Sequence, residues 1–520
     1  MNSHPQRLLH DSLLANAASP VLARKAAVVV EGNAHTYAEL LDSASRLATA
    51  LRDRGIVRGD RVAIYMDNSW PCVVSVYATL LAGGVFLLIN PQTKADKLGF
   101  ILDDSGARLL LTDSHLDKEF LPLLAHATHL MGVICSGNLT TGHGIVAFDD
   151  VIRDTLPLTE PAATIPLDLA ALIYTSGSTG QPKGVMQTHQ SMVFTLGSLV
   201  EYLRLGRDER ILCVLPLAFD YGLYQLLMTV CLGATLVLER SFTYPAQVFA
   251  RMQAFGVTVF PGVPTIFAML LSAHQREPLC FAGVTRVTNT AAALADASAT
   301  RLREIFPSGL IYKMYGLTEC KRVSYLEPEL AETRPGSVGK AIPGTEVYLL
   351  SAEGQPTPVG ETGILHVRGP HVMLGYWNRP DLTGQMLRPG RLPGERVLCT
   401  HDLFRMDKEG YLYFVGRSDD IIKTRGEKVS PVEVENAMHA IAGIREAAVI
   451  GVPDALLGQA IRAYVVLEPG TSLSGKQIRA LCAARLENFM VPQDIVLCTD
   501  LPRTATGKVS RKALLEQYAH

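Results

Sequence analysis

The 520-residue sequence has almost no net charge and no closely paired cysteines. Its 48 Lys and Arg residues against 50 Asp and Glu leave a formal charge of −2, which indicates neither a nucleic-acid partner nor an anionic membrane surface. The nine cysteines lie singly without a C-x-x-C motif, which argues against a metal cage and a disulfide framework. Such cysteines are typical of a reducing compartment, so we expect a cytoplasmic protein.

Long uninterrupted apolar runs are also missing. The N-terminal residues lack the apolar core of a signal peptide. Residues 73–89 are uncharged and close to the length of a membrane span, but Gly83-Gly84 divides them. This division predicts a buried helix over 70–82 followed by a buried strand over 85–89, and no integral membrane association.

Strand-like and helical segments alternate over about the first 400 residues, which predicts parallel sheets covered by helices. A chain of this length exceeds one compact core, so two or more domains are expected. The predicted strands cover residues 61–65, 107–112, 132–135, 234–238 and 257–260, and the predicted helices cover residues 37–54, 190–203 and 293–305.

Two smaller units follow this alternation. Residues 339–367 contain short strands and turns, which predicts a small, mostly antiparallel β-subdomain. The last unit combines a helix over 431–440, with Ser430 as its cap and Pro431 at its first position, strands over 447–451 and 463–467, and a helix over 474–486. We therefore predict an α/β protein. Its N-terminal domain, 1–417, holds two parallel-type sheet subdomains and the small β-subdomain, and its C-terminal domain, 418–520, is a small α+β unit.

A short loop rich in glycine and hydroxyl groups follows the apolar run at 169–174. Its sequence from residue 175 onward is T-S-G-S-T-G-Q-P-K-G. Its hydroxyl side chains are those of Thr175, Ser176, Ser178 and Thr179. Gly177 and Gly180 let the backbone fold tightly so that N–H groups converge on an anion, and Lys183 adds a positive charge. The spacing differs from the Walker G-x-x-x-x-G-K-[ST] motif. The pattern predicts a phosphate-binding loop rather than a flexible Gly/Ser turn.

The loop resembles the signature of the adenylate-forming superfamily, which includes acyl-CoA synthetases, adenylation domains and luciferases. Four later motifs resemble those of the superfamily in the same order, and the resemblance covers nearly the whole chain. They are Y-G-L-T-E at 315–319, T-H-D at 400–402, G-R-S-D-D at 416–420 with Lys423, and P-R-T-A-T-G-K at 502–508. The resemblance implies that a carboxylate attacks the α-phosphate of ATP, giving an acyl adenylate and pyrophosphate. A thiol then displaces AMP to form a thioester.

The resemblance also implies how the nucleotide is held. The loop at 175–183, with Lys183, would hold the β- and γ-phosphates and the departing pyrophosphate. Tyr315 would stack on adenine, Thr318 would contact the α-phosphate, and Glu319 would bind Mg²⁺. A carboxylate beside the triphosphate needs a cation between them, because direct apposition would be repulsive.

Asp402 and Arg417 match the residues that bind the ribose hydroxyls in the superfamily. An ionised carboxylate that accepts hydrogen bonds from two neighbouring hydroxyls selects ribose efficiently. The chain departs from the family at residue 401, where His replaces the usual Gly of T-G-D. A requirement for positive φ would be poorly met by His401, so we expect a small local adjustment there and no catalytic role.

Lys508 is the residue that the resemblance assigns to bridging the carboxylate and the α-phosphate during adenylation. Its distance in sequence from Arg417 fits a mobile C-terminal domain that delivers the lysine and then rotates away. Asp419 matches the hinge of that rotation. Gly426 matches the glycine that faces the active site in the thioester-forming pose, where pantetheine would pass closely because glycine has no Cβ. Lys423 and Lys428 would line the same face.

The acyl pocket is expected beside Phe219 and Asp220. Phe-Asp at this place resembles amino-acid-activating enzymes, in which the Asp pairs with the ammonium group of the substrate. The following Tyr-Gly-Leu, residues 221–223, resembles acyl-CoA ligases instead. A buried Asp without a cationic partner is costly. Two interpretations of Asp220 therefore stay open: a substrate amine neutralises it, or it turns towards a structural donor such as a backbone amide or a Lys or Arg side chain.

Other segments expected around the acyl pocket are 261–267, 288–294 and 320–323. We assign Asn289, Thr290 and Ala291 to substrate binding. The family has a Gly pair and a Pro in this region, where the chain has Thr290-Ala291 and Ala293, and the added bulk would shorten the pocket. His189, which follows the phosphate-binding loop, is expected to be structural, at the start of the next helix.

The sequence therefore favours an AMP-forming acid–thiol ligase that uses ATP, Mg²⁺ and coenzyme A, most simply an acyl-CoA synthetase. The alternative is a stand-alone ligase that loads an acyl or aminoacyl group onto the phosphopantetheine of an acyl carrier protein. Because no carrier domain follows Lys508, that carrier would act in trans. A luciferase-like oxygenation of the adenylate and a catalytically silent binding module are further alternatives. The complete phosphate-binding loop, Glu319 and Lys508 argue against the silent module.

Overall fold

The computed structural model describes residues 6–127, 129–138, 144–176, 182–290, 294, 296–418, 420–424, 427–454, 457–486, 488–504 and 507–519. Within these residues the chain forms two large, mostly parallel sheets and two smaller, mostly antiparallel ones. Helices accompany the strands along the whole chain. The predicted α/β class is confirmed.

The strands are β1 (Ala26–Val30), β2 (Asn33–Thr36), β3 (Arg61–Tyr65), β4 (Val85–Ile89), β5 (Leu109–Asp113), β6 (Gly132–Ser136), β7 (Ile145–Ala147), β8 (Leu169–Ser176), β9 (Pro182–Thr188), β10 (Arg210–Cys213), β11 (Thr235–Leu238), β12 (Val259–Gly262), β13 (Arg286–Asn289), β14 (Leu310–Tyr315), β15 (Ser324–Leu326), β16 (Lys340–Ala341), β17 (Glu346–Leu350), β18 (Thr362–Arg368), β19 (Gly375–Tyr376), β20 (Leu387–Pro389), β21 (Arg396–Met406), β22 (Leu412–Arg417), β23 (Ile422–Thr424), β24 (Glu427–Val429), β25 (Ile444–Asp454), β26 (Gly458–Leu467) and β27 (Asp494–Leu497).

The α-helices are α1 (Asp11–Ala18), α2 (Tyr37–Asp53), α3 (Trp70–Leu81), α4 (Ala95–Ser105), α5 (Asp117–Phe120), α6 (Phe148–Asp154), α7 (His189–Tyr202), α8 (Asp220–Leu232), α9 (Pro245–Ala254), α10 (Pro264–Arg276), α11 (Asp296–Ile305), α12 (Pro380–Met386), α13 (Pro431–His439), α14 (Gly475–Ala483) and α15 (Arg511–Ala519).

The two large sheets place the predicted motifs. The nine-stranded sheet has the order β16-β15-β14-β13-β12-β10-β11-β1-β2, and its strands are parallel from β14 to β1. The eight-stranded sheet has the order β19-β9-β8-β4-β3-β5-β6-β7, and it is parallel from β8 to β7. In open α/β sheets, ligands bind at the carboxyl ends of the parallel strands. The motif at Tyr315 lies at that end of β14.

The two small sheets follow in sequence. One has the order β17-β18-β21-β20, with β22 paired to β21, and its strand pairs are antiparallel. The β-subdomain predicted over 339–367 corresponds to this sheet only in part. The strand β16 within that range pairs with β15 in the nine-stranded sheet, and the small sheet extends from β17 to Arg417 because β20, β21 and β22 join it. The other small sheet has the order β24-β23-β26-β25, with β27 beside β26, and all its strands come after Arg417.

The segment of near-membrane length is a buried helix leading into a buried strand, as predicted. It consists of α3 and β4, and every residue of β4 is buried. Ser69 begins the helix by accepting a hydrogen bond from the backbone N–H of Cys72. In the part of the chain that the structure describes, no helix combines the length and the apolar character needed to cross a bilayer.

Two predicted strands begin later than expected for the same reason. The strand predicted from residue 107 is β5, which begins at Leu109, and the strand predicted from residue 257 is β12, which begins at Val259. In each case the first predicted residue instead closes the preceding helix: the N–H of Ala107 donates to Leu102 and that of Val257 to Met252. The apolar side chains at these positions therefore pack as helix ends.

The two helices predicted after Arg417 begin where the sequence predicts. Ser430 caps α13 by accepting from the N–H of Glu433, and proline occupies the first turn, as predicted. The helix predicted over 474–486 is shorter: α14 ends at Ala483. It ends there because two successive N–H groups, those of residues 485 and 486, donate to the carbonyl of Cys482 and break the regular pattern.

Candidate active site

The predicted phosphate-binding loop joins two antiparallel strands, β8 and β9. Thr175 pairs with Lys183 across them. The Oγ1 atom of Thr175 is buried and has no hydrogen-bond partner among the described residues, which fits an oxygen-rich ligand there. The remaining predicted loop residues lie outside the described residues: Gly177, Ser178, Thr179, Gly180 and the side chain of Ser176.

Lys183 and Glu319, predicted from separate motifs, meet at a tyrosine that sequence reasoning missed. The Nζ atom of Lys183 donates to the hydroxyl of Tyr376 at 2.6 Å and lies 3.4 Å from Oε1 of Glu319. The same hydroxyl donates to Oε1 of Glu319 at 2.5 Å. Burial, together with the neighbouring Glu319, raises the pKa of Tyr376, so this hydroxyl stays protonated. Tyr376 lies in the two-residue strand β19, for which the sequence carries no periodic signal.

The residues present fit a Mg²⁺ ion bound together with phosphates. Glu319 is only 8% exposed, and it lies beside the lysine of the predicted phosphate-binding loop. Carboxylate and phosphate oxygens are the ligands that Mg²⁺ uses in nucleotide sites, usually with one or two protein carboxylates. Glu319 is therefore the residue that would hold this ion.

The predicted ribose site is also assembled. The hydroxyl of Tyr315 donates to Oδ2 of Asp402, and Nε of Arg417 lies 3.7 Å from Oδ1 of the same carboxylate. This Oδ1 atom is buried and accepts no hydrogen bond from the described residues, so it is available to a hydroxyl donor. Burial raises the pKa of Asp402, while Tyr315, Arg417 and Lys508 act against that rise. The ring of Tyr315 packs edge-on against that of Phe404, with the two ring centroids 4.8 Å apart.

A small local adjustment of the backbone was expected at His401, because a side chain fits positive φ poorly. Instead, His401 itself adopts the left-handed conformation, with φ of 57°. Its carbonyl accepts from the N–H of Ser418 at 3.0 Å. Burial alone would raise the pKa of the Cys399 thiol, but hydrogen bonds from the side chains of His366 and His401 lower it to about 5. These contacts give His401 a structural place beside Asp402.

Lys508 reaches the nucleotide site from the C-terminal end of the chain. Lys508 as a whole is exposed, although protein atoms surround much of its ammonium group. The pKa of Lys508 is lowered chiefly by this loss of water, and the charges acting on it are those of Asp402, Arg417 and Glu319. The charges of the lysine and of the two carboxylates predicted to bind ribose and Mg²⁺ thus act on one another. The predicted hinge and pantetheine-facing residues, Asp419 and Gly426, and the side chains of Lys423 and Lys428 lie outside the described residues.

The predicted acyl-pocket residue Asp220 is the first residue of α8, directly after Phe219. The residue is partly exposed, but its Oδ1 atom is buried and has no hydrogen-bond partner among the described residues. Burial raises the pKa of Asp220 to about 6, and the charges of Arg322 and Lys321 act against this rise. The positive charges of Arg322 and Lys321 therefore act on this carboxylate, which favours the interpretation with a Lys or Arg partner over the one with a substrate amine.

Lys321 and Arg322 are held by a loop that folds back on Gly316. Lys321 has a φ of 66°, and a Cβ atom on Gly316 would lie 2.2 Å from its carbonyl oxygen, so only glycine fits there. The ammonium group of Lys321 donates to Oγ of Ser191 at 2.9 Å and to the carbonyl of His371 at 2.8 Å. Burial lowers the pKa of Lys321 to about 7, and Asp220 opposes this shift.

The remaining predicted pocket residues lie at the end of β13. Asn289 and Thr290 are buried, at 2% and 3% exposure, and Ala291 lies outside the described residues. The neighbouring Thr288 accepts a hydrogen bond from the hydroxyl of Tyr221 at 2.7 Å, which ties the end of β13 to the start of α8. His189 is the first residue of α7, as predicted, and its Nδ1 accepts from the backbone N–H of residue 9.

The buried Asp220 and Lys321 predict how stability depends on pH. Asp220 has a native pKa of about 6 against 3.8 in the unfolded chain, so its contribution to stability is lost as pH rises through that interval. Lys321 has a native pKa of about 7 against 10.5, so its contribution is lost as pH falls through that interval. We expect Asp220→Asn to flatten the pH dependence of the melting temperature mainly on the acid side, and Lys321→Met mainly on the alkaline side. Each variant also moves the pKa of the remaining group away from its ordinary value, because the two charges act on each other. Identical profiles for both variants and the wild type would contradict these assignments.

Comparison with known proteins identifies the family. Residues 16–377 match the AMP-binding enzyme family, and residues 433–508 match the C-terminal domain of AMP-binding enzymes. The chain is 30% identical to a long-chain-fatty-acid–CoA ligase of Bacillus subtilis over 95% of its own length and 92% of that protein. It is 32% identical to tyrocidine synthase 3 of Brevibacillus parabrevis over 94% of its own length, but over only 7% of that protein.

A solved structure shows the same likeness. An anthranilate CoA ligase in complex with anthranoyl-AMP superimposes with a TM-score of 0.90 at 27% identity, covering 99% of this chain and 98% of the other. The match at 16–377 alone spans well over half of the sequence. It includes Lys183, Tyr315 and Glu319, whereas Asp402, Arg417 and Lys508 come after it. The chain therefore belongs to the family of AMP-binding enzymes.

Proposed function

We propose that this enzyme joins a carboxylic acid to coenzyme A through an acyl adenylate, with release of pyrophosphate and AMP. The observation that carries the proposal is the contact of Lys183 and Glu319 through Tyr376, with Asp402 held by Tyr315 and Arg417. The charges of Asp402, Arg417 and Glu319 also act on Lys508, which lies about 90 residues beyond Arg417 in the sequence. Similarity to a fatty-acid–CoA ligase and to an anthranilate CoA ligase supports the reaction class.

The residues of the cleft divide the first step between them. Lys183 and the loop it ends would hold the β- and γ-phosphates, and Asp402 would accept hydrogen bonds from the ribose. Lys508 would donate to both the attacking carboxylate and the α-phosphate, which brings two anions together and stabilises the charge that develops between them. Mg²⁺ held by Glu319 would supply charge neutralisation at the phosphates. Tyr376 fixes Glu319 and Lys183 in place through its hydroxyl.

For the second step we propose a division of the chain at Arg417. The domains 1–417 and 418–520 would rotate relative to each other about Asp419 after adenylation. That rotation would withdraw Lys508 and bring Gly426 to the cleft, where its lack of a Cβ lets pantetheine pass. The thiol would then attack the acyl carbonyl and displace AMP.

An acyl carrier protein is the second candidate for the thiol. It is favoured by one observation, the similarity of nearly the whole chain to a small part of the much longer tyrocidine synthase 3. A carrier protein and coenzyme A present the same phosphopantetheine thiol, so the residues of the adenylation cleft serve either acceptor equally. Assay of both acceptors with one activated acid separates the two candidates.

The test of the proposed function is ATP–pyrophosphate exchange with fatty acids, aryl acids and α- and β-amino acids, repeated with Asp220→Ala. We expect exchange with fatty or aryl acids that survives the substitution, because Lys321 and Arg322 already neutralise Asp220. Exchange confined to amino acids and abolished by the substitution would instead support a carrier-protein ligase. A protein that binds ATP and forms no AMP with any acid would disprove the ligase.

A further inference from the structure

Within the described residues, one buried donor on Arg322 and one buried acceptor on Asp220 have no hydrogen-bond partner beside the predicted acyl pocket. From this pair we propose that the acid activated by this enzyme carries a hydroxyl group close to its carboxylate, as in a 2- or 3-hydroxy acid. The hydroxyl would donate to Oδ1 of Asp220 and accept from Nε–H of Arg322. The inference rests on the proposed ligase function and adds the chemical class of its substrate.

Arg322 is the less usual member of the pair, because it carries a charged guanidinium group and yet only 3% of the residue's surface is exposed. Its Nη1 atom donates to the carbonyl of Lys321 at 2.7 Å, and its charged centre lies 5.1 Å from the ring centroid of Tyr221. Its Nε atom is buried and has no hydrogen-bond partner among the described residues. A buried donor of this kind normally finds an acceptor, and here the chain supplies none within its described part.

Asp220 supplies the matching acceptor. It precedes Tyr221, the ring on which Arg322 lies, and Arg322 exerts the largest charge effect on its carboxylate. Lys321 acts on it less strongly, and the ammonium group of Lys321 already donates to Ser191 and to the carbonyl of His371. The acceptor belongs to the residue directly before Tyr221, and the donor belongs to the oppositely charged side chain that lies over the Tyr221 ring.

The charges at this place discriminate among substrate groups. An ammonium group would pair with Asp220 but would face the positive charges of Arg322 and Lys321. A second carboxylate would pair with Arg322 but would face Asp220. A hydroxyl both donates and accepts, so it satisfies both atoms and adds no charge. Among these three groups, only the hydroxyl leaves the balance between Asp220 and Arg322 unchanged.

The position of Asp220 sets where the hydroxyl lies along the acid. Arg322 lies three residues after Glu319, in the turn that the N–H groups of Cys320 and Lys321 close onto the carbonyl of Leu317, and its charge acts on the carboxylate of Asp220. The unused pair is thus beside the cleft in which the acid's carboxylate reacts, and not at the remote end of a long pocket. A hydroxyl on the second or third carbon reaches it, whereas a hydroxyl at the far end of a long chain does not.

The test compares matched acids in AMP release. Three sets of acids are used, and their unsubstituted members are butanoate, octanoate and benzoate. Each set also contains the 3-hydroxy acid (salicylate for benzoate), the corresponding amino acid and a dicarboxylate of matched size. In the set that the enzyme accepts, we expect kcat/KM for the hydroxy acid to exceed that of each partner by at least about tenfold, because the site leaves polar groups unpaired without it. Preference for the unsubstituted, amino or dicarboxylic acid would overturn the inference.

Variants of Arg322 give a second readout. In Arg322→Met we expect the ratio of kcat/KM for hydroxy and unsubstituted acids to fall close to one, while Asp220→Asn lowers it by a smaller factor. Arg322→Lys replaces the methionine variant if that protein fails to fold, and a ratio equal to that of the wild type would contradict the inference. AMP release with unsubstituted acids alone would refute the hydroxyl and leave the ligase standing, whereas no release with any acid would refute the ligase itself.

Discussion

Replacing Lys508 with alanine is expected to lower the rate of acyl-adenylate formation by about 10²–10³-fold, the size of effect seen when one charged or hydrogen-bonding group is removed from a reacting centre. Thioester formation from supplied acyl adenylate and coenzyme A is expected to stay within a few-fold of the wild type. The two half-reactions would separate because, in the proposed rotation, Lys508 leaves the charges of Asp402 and Glu319 that act on it in this structure.

The measurement is AMP release from ATP and an accepted acid, set beside thioester release from the purified adenylate. Lys512→Ala is the matched control, because Lys512 lies on α15 near Lys508 but is exposed and pairs only weakly with Glu516. It is expected to retain both rates. Equal losses in both half-reactions for Lys508→Ala would show that the lysine supports the fold or the cleft as a whole, and would contradict a role confined to adenylation.

Local patterns in the sequence predicted the fold class and the elements with the clearest apolar runs or caps. Apolar runs of four or five residues predicted β3, β4 and β6, and the Ser430-Pro431 pair predicted the start of α13. The same patterns placed the start of a strand too early where an apolar residue could either begin the strand or end the preceding helix. Ala107 and Val257 continue an apolar run, but their N–H groups close the preceding helix, and that choice depends on where the helix ends.

The candidate site was predictable where its residues belong to contiguous motifs. Thr175, Lys183, Glu319, Asp402 and Lys508 were each named from short stretches of sequence, and the described ones converge on one cleft. Tyr376 was missed because its partners, Lys183 and Glu319, lie far from it in sequence and only the pairing of β19 with β9 brings it near.

The cations that act on Asp220 could not be predicted either, because they are also distant in sequence. The sequence indicated that a buried carboxylate needs a cation, and it named 320–323 as a pocket segment, but it left the source of the cation open. Lys321 and Arg322 are about 100 residues away, and they reach α8 because the chain folds back tightly over Gly316. His401 is a further case: the sequence suggested that a side chain there would disturb the turn, yet the residue holds the left-handed conformation itself.

Replacing Glu319 with glutamine is expected to lower acyl-adenylate formation by about 10²-fold or more and to raise the Mg²⁺ concentration needed for half-maximal rate. Glutamine keeps the size of the side chain and an oxygen that can accept from the hydroxyl of Tyr376, so the local packing is retained. It removes the negative charge, and with it the ligand that a divalent cation prefers. The effect therefore reports the charge and not the shape of residue 319.

Tyr376→Phe distinguishes positioning from metal binding in the same assay. Loss of its hydroxyl frees both Lys183 and Glu319 from the contacts at 2.6 and 2.5 Å, so we expect a several-fold rise in KM for ATP with a smaller change in kcat. Glu329→Gln serves as the matched control, because Glu329 is an exposed glutamate paired with Arg204 outside the cleft. If Glu319→Gln retained the wild-type rate and the same Mg²⁺ dependence, the cation would have to be held by other groups, and the assignment of this carboxylate to the metal would be wrong.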